Sequence, residues 1–135
     1  MQPDAMSVYG FVHVGEWLLD GKLKSGVRPN LEALKNERVV YLFAVDARPK
    51  YVGVCQEDTT TLMARMNRYK SMADSGTNEN VAKLIRDALL SRKNVSIWAL
   101  KPPDYYRHGD LKIDLVKGLE NPLIDRFKPE WNRRK

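Results

Sequence analysis

Val39-Val40-Tyr41-Leu42-Phe43-Ala44-Val45 and Lys50-Tyr51-Val52-Gly53-Val54 flank the turn-prone tetrapeptide Asp46-Ala47-Arg48-Pro49. β-Branched and aromatic side chains suit the pleated surface of a strand, and the polar segment with proline interrupts it, so the two runs predict a β-hairpin. Side chains alternate across a strand, which puts Tyr41 on one face with Val39, Phe43 and Val45. Its hydroxyl then ends at the rim of a sheet whose other face packs inward.

Downstream, Thr59-Thr60-Thr61 supplies a helix cap for a segment carrying Leu62, Met63, Met66 and Tyr69. Arg65 and Tyr69 are one turn apart and share a side of that helix. After the Ser/Gly/Asn-rich break from Ser75 to Asn80, Val81, Leu84, Ile85, Ala88 and Leu89 follow helical spacing and predict a scaffold helix. Val95 to Leu100 predicts a third strand stopped by Pro102-Pro103, and the segment onward to Gly118 has no clear period and is read as a loop or arm. Near the end, Leu119-Glu120-Asn121-Pro122-Leu123-Ile124 predicts a helix starting near Leu119. Pro122 then falls in the first turn, where its missing N–H costs little, and Glu120 lies near the positive end of the helix dipole.

Upstream of the central hairpin, apolar residues between Val8 and Val27 surround Asp20-Gly21, a dipeptide suited to a tight turn, so a further hairpin is predicted there. Pro29-Asn30 then starts a short helix through Leu31 and Leu34, ending near Asn36. The expected architecture is one α/β (α+β) chain with a small central three-stranded, mainly antiparallel sheet flanked by helices, preceded by a hairpin and short-helix extension.

The chain has 135 residues, enough for one domain with a sizeable core. A single cysteine, Cys55, forms no internal bridge and suits a reducing compartment. No uninterrupted apolar stretch reaches membrane-spanning length, and the first residues lack a basic region followed by an apolar one, which reads as a soluble cytoplasmic protein with no membrane partner. A formal charge of +6 favours polyanions, nucleic acid above membranes, without proving either. His13 and His108 have no ligand partner at zinc spacing, and neither a Gly-rich phosphate loop nor a serine nucleophile elbow is present. What remains is one carboxylate able to hold Mg²⁺, an arginine able to hold phosphate, and phenols able to move a proton.

In this order the elements resemble the GIY-YIG nuclease family. Val39-Val40-Tyr41 matches the first motif with Val-Val for Gly-Ile, and Tyr51-Val52-Gly53 matches the second with Val for Ile. Leu62 to Tyr69 is similar to the family helix in which an arginine is followed a turn later by Tyr or His. Leu119-Glu120, Leu123-Ile124, Pro129 and Asn132 resemble the segment closing the nuclease domain of excision-repair enzymes, and small restriction endonucleases of the family offer a functional analogy. The resemblance covers residues 39–135, leaving 1–38 as the extension.

It implies a metal-dependent endonuclease that hydrolyses phosphodiester bonds in DNA, with a restriction-like, phage-defence or repair role; the alternative is a GIY-YIG fold that binds nucleic acid without cutting. Glu120 would hold Mg²⁺ (or Mn²⁺), and Arg65 would contact the scissile phosphate. Tyr41 would accept a proton from water, while Tyr51 and Tyr69 orient it. Asn132 would brace the junction of strand and helix. Lys50, Arg68, Lys128, Arg133, Arg134 and Lys135 are the candidate nucleic-acid contacts, with Trp131 placed to stack a base. One site per chain and two strands to cut favour a homodimer.

Overall fold

A computed structural model describes residues 6–72, 76–103 and 106–132. The central hairpin forms, with β3 (Val40–Val45) antiparallel to β4 (Arg48–Val54), but its turn is only Asp46-Ala47: Arg48 and Pro49, expected in the turn, already pair with Val45 and Ala44. β5 (Val95–Leu100) pairs antiparallel with β3 on its other side. The sheet then continues to β1 (Val12–Leu19) and β2 (Val27–Leu31), giving five strands in the order β2-β1-β5-β3-β4. The expectation of three strands therefore falls short, because the N-terminal hairpin joins the sheet through β5 instead of standing apart from it.

The short helix expected after Pro29 is absent. Pro29 lies opposite Trp17 in β2, an edge strand, where a missing ladder donor is tolerated. Glu32 N–H still reaches the Val14 carbonyl at 2.7 Å, extending the pairing past the strand.

α1 (Leu62–Ser71) and α2 (Gly76–Leu90) cover one face of the sheet. α2 begins inside the expected Ser75–Asn80 break: small polar residues fit a first turn, where amide groups have no partner within the helix. The segment read as an arm holds a two-stranded ribbon of β6 (Tyr106–His108) and β7 (Leu111–Ile113), then α3 (Leu115–Gly118). α4 (Glu120–Phe127) follows, with Pro122 in its first turn as anticipated.

β3 is buried along its whole length and separates two cores. Val39, Tyr41, Phe43 and Val45 pack with Trp17, Leu62, Met66, Tyr69 and Ile85 on the α1/α2 side. Val40, Leu42 and Ala44 pack with Phe11, Val116 and Leu123 on the α4 side. The two-residue period of the strand thus assigns the tyrosines to one compartment and the support of α4 to the other.

Candidate active site

Tyr41 on β3, Tyr51 on β4 and Tyr69 on α1 point into the same face, and their hydroxyls form a chain. Tyr41 Oη lies 2.6 Å from Tyr69 Oη, and Tyr69 donates to Tyr51 Oη at 3.3 Å. Arg65 closes the group, donating from Nε to Tyr41 at 3.1 Å and from Nη2 to Tyr69 at 3.0 Å, with its guanidinium carbon 5.1 Å from the Tyr69 ring centroid. Because Tyr69 donates to Tyr51, the consistent direction runs from Tyr41 through Tyr69 to Tyr51. The hydroxyl of Tyr51 therefore stands at the end of the chain, and Tyr51, buried but 8% exposed, is the least enclosed of the three residues.

Local structure explains the precision. A helix start leaves amide groups without partners, and α1 satisfies its own in turn. Leu62 N–H reaches Glu37 O and Met63 N–H reaches Lys35 O, both at 2.9 Å, while Ala64 N–H bonds the Thr61 side chain at 3.2 Å. The loop ahead of β3 is thereby fastened to the helix that carries Arg65 and Tyr69.

Gly53, opposite Tyr41 in the hairpin, leaves the space the ring crosses: a Cβ there would lie 2.5 Å from both Tyr41 Cζ and Oη. Phe43 stacks on Tyr51 with centroids 5.6 Å apart and meets Tyr69 edge-on at the same separation, so aromatic contacts help to hold the phenol rings in place.

Burial pushes all three phenols upward. It is the largest influence at each; Arg65 opposes it throughout, while charge on a neighbouring phenol adds to it and the hydrogen bond with Tyr69 at Tyr41, or with Tyr51 at Tyr69, offsets a part. Around the guanidinium, burial works against the charge, but the oxygens of Tyr41 and Tyr69 outweigh it and leave Arg65 raised. The site at rest is three neutral phenols and one firm cation. Tyr41, expected from the sequence as the proton acceptor, is neutral and sealed from solvent.

A stability prediction follows. Above pH of about 10 the unfolded chain releases phenol protons that the folded chain retains, so stability is full at neutral pH and falls as pH rises through that range. The urea midpoint should drop between about pH 9.5 and 11, less steeply in Tyr69→Phe. An absorbance titration in which all six tyrosines ionise together near pH 10 without unfolding would contradict the enclosed geometry.

Glu120, half-buried in the first turn of α4, is close enough to raise the Tyr51 phenol electrostatically. α4 packs on the opposite core, and β4, which carries Tyr51, is the edge strand of the sheet. Among the described residues no three His, Cys, Asp or Glu side chains converge, which excludes a protein-built cage there. One half-exposed carboxylate fits a cation such as Mg²⁺, which keeps most of its waters.

Asn132 accepts from Val52 N–H at 2.7 Å and donates to Val52 O at 2.8 Å, so it braces the outer edge of β4 next to Tyr51. Of the candidate nucleic-acid contacts, Lys50 lies 3.5 Å from Glu130, Arg68 is exposed one turn beyond Arg65, and Lys128 is exposed at the end of α4. Arg133, Arg134 and Lys135 lie outside the described residues.

Two residues that the sequence reading passed over support the site. Arg38 grips Asp114 with two bonds of 3.0 and 2.8 Å and also bonds the carbonyls of Gln56 and Glu57. The guanidinium holds the Asp114 carboxyl below its usual range, and that carboxylate caps α3 through Val116 and Lys117 N–H. The only sequence signal was an aspartate just before Leu115-Val116, which suits a helix cap.

No protein-family model and no curated protein matches the chain. Solved structures do. A mutant form of bacteriophage T4 EndoII matches with a TM-score of 0.72 at 22% identity, covering 95% of this chain and 96% of that one. The fold is shared with EndoII. The restriction endonuclease HPY188I in complex with product DNA matches with a TM-score of 0.54 at 22% identity, covering 96% of this chain and 80% of that one. Both matches span nearly the whole of this chain, so the likeness is one of the entire fold. Among the described residues no helix is long and apolar enough to cross a membrane.

Proposed function

We propose that the chain is a metal-dependent DNA endonuclease of the GIY-YIG type, acting in restriction, phage defence or repair. The observation that carries this is the convergence of Arg65 with the oxygens of Tyr41, Tyr69 and Tyr51, and the electrostatic reach of Glu120 to Tyr51 supports adding its carboxylate to the group. The fold shared with a restriction endonuclease bound to product DNA supports the substrate class. Residues 39–135 carry the reacting groups, and the N-terminal hairpin completes their sheet.

Hydrolysis forms one P–O bond to water and breaks one to the leaving sugar oxygen, while negative charge grows on the phosphate. Arg65 is built for that charge: it stays protonated, and its fork is already oriented by two phenols. Tyr51, at the open end of the chain, is better placed than the sealed Tyr41 to hold the attacking water. Tyr41 and Tyr69 fix the guanidinium and the direction of the phenol chain. Glu120 would hold the divalent cation, which supplies Lewis acidity toward phosphate and a more acidic water. A homodimer would cut both strands together.

Plasmid incubated with and without Mg²⁺ tests the reading. Wild type should nick only with the cation, and Glu120→Ala should be slower by about 10³-fold, the scale of several kcal/mol of lost charge stabilisation. Cleavage by Glu120→Ala at the wild-type rate would remove the metal assignment, and binding without nicking by wild type would favour the non-cutting module.

A further inference from the structure

We infer that the β6–β7 ribbon is the element that reads duplex DNA, inserting into a groove beside the cutting site; this rests on the DNA-cleaving function proposed above. The ribbon is built as a tight projection. Its strands have three residues each and are joined by Gly109-Asp110, with Gly109 at a φ of 64°, as a two-residue turn with glycine in the first central position requires. A lone pair of strands is marginally stable in water. This one also leaves apolar surface uncovered: three of the nine large apolar residues exposed among the described residues fall within it, namely Tyr106 at 60%, Leu111 at 60% and Ile113 at 41%.

The register sorts the side chains by chemistry. Tyr106 faces Ile113 and His108 faces Leu111, while Arg107 faces Lys112. Directly opposed residues share a face and neighbours alternate, so one face is aromatic and aliphatic and the other carries two cations. Both cations are exposed. A two-stranded ribbon is narrow enough for the major groove, where apolar side chains meet thymine methyls and base edges, and long basic side chains reach phosphates on the groove walls.

The competing occupant of such a face is a second copy of the chain. Six residues are too few for it: a stable protein interface takes about 800 Å² from each partner. The paired cations also complement phosphate better than an identical cationic ribbon.

Chain connectivity ties this reader to the cutter. β7 ends at Ile113, and Asp114 follows at once, held by Arg38 three residues before Tyr41. α3 then leads directly into α4 and Glu120. A groove contact at the ribbon would therefore be linked through Asp114 and α3 to the segment that carries Glu120.

The full chain carrying Arg107→Ala with Lys112→Ala, and separately Tyr106→Ala with Leu111→Ala, should be compared with wild type. Anisotropy with a labelled duplex across a salt series and mapping of plasmid cut ends supply the readouts. The basic pair removed should weaken binding by about tenfold and lower the magnitude of the salt slope by up to about 1.8, at about 0.9 per phosphate contact. The apolar pair removed should leave the slope in place and scatter the cut positions. Wild type that cuts, with both variants matching it in affinity, slope and cut sites, overturns the ribbon assignment alone. Wild type that neither binds nor cuts DNA overturns the proposed function and the ribbon with it. Sedimentation showing that the apolar variant loses a dimer, with cut sites unchanged, assigns the ribbon to self-association instead.

Discussion

Arg65→Ala is expected to lower the single-turnover cleavage rate by about 10²- to 10³-fold while changing duplex affinity by no more than about threefold, because a preorganised cation acts most strongly on charge that develops in the transition state. The geometry makes the split sharp. Arg65 is half-buried and already spends two donors on Tyr41 and Tyr69, so what it would offer a phosphate is the oriented remainder of its fork and not a mobile anchoring charge. Arg65→Lys should rescue little, since an ammonium group cannot bridge two phenols and phosphate in the same plane. The alanine variant also leaves the buried phenol chain without its cation, so its melting point should be recorded alongside. Equal losses in rate and affinity would mean that Arg65 merely anchors the strand.

Gly53→Ala is the second large effect. The added methyl would sit 2.5 Å from the Tyr41 ring and hydroxyl, far inside contact distance, and Tyr41 is enclosed between Phe43, Tyr51 and Tyr69. The ring cannot swing aside without breaking its 2.6 Å bond to Tyr69 and its bond to Arg65. Overpacking of this kind costs about 1–3 kcal/mol, so the urea midpoint should fall and cleavage with it. Tyr41→Phe placed on the Gly53→Ala background should recover little stability, because the clash includes ring carbon as well as oxygen. A Gly53→Ala protein with wild-type stability and rate would show that the ring has room elsewhere.

The central hairpin, the Thr61 cap, the one-turn spacing of Arg65 and Tyr69 and the position of Pro122 were all legible in the sequence, because each depends on neighbours along the chain. The five-stranded sheet was not, since pairing of β1 with β5 joins segments far apart in sequence, and no local pattern records it. Pro29 misled for a related reason: it suits a helix start and an edge strand equally, and only the partner Trp17 decides. At the site, the residue types were readable but their solvent access was not. Tyr41 and Tyr51 look alike as strand tyrosines; the fold seals one and leaves the other at the margin. The clamp of Arg38 on Asp114 joins residues 76 apart in sequence and left only a helix-cap hint.

Both outer margins of the sheet are blunted. Pro29 interrupts the donor row of β2, and the Asn132 amide occupies the outward N–H and C=O of Val52 on β4. Strand-by-strand extension from one molecule into the next is therefore disfavoured at either end, a common guard against aggregation. If two copies meet to sever a duplex, these two edges favour a contact elsewhere on the molecule, with the symmetry axis away from any continuous intermolecular extension of the five-stranded sheet.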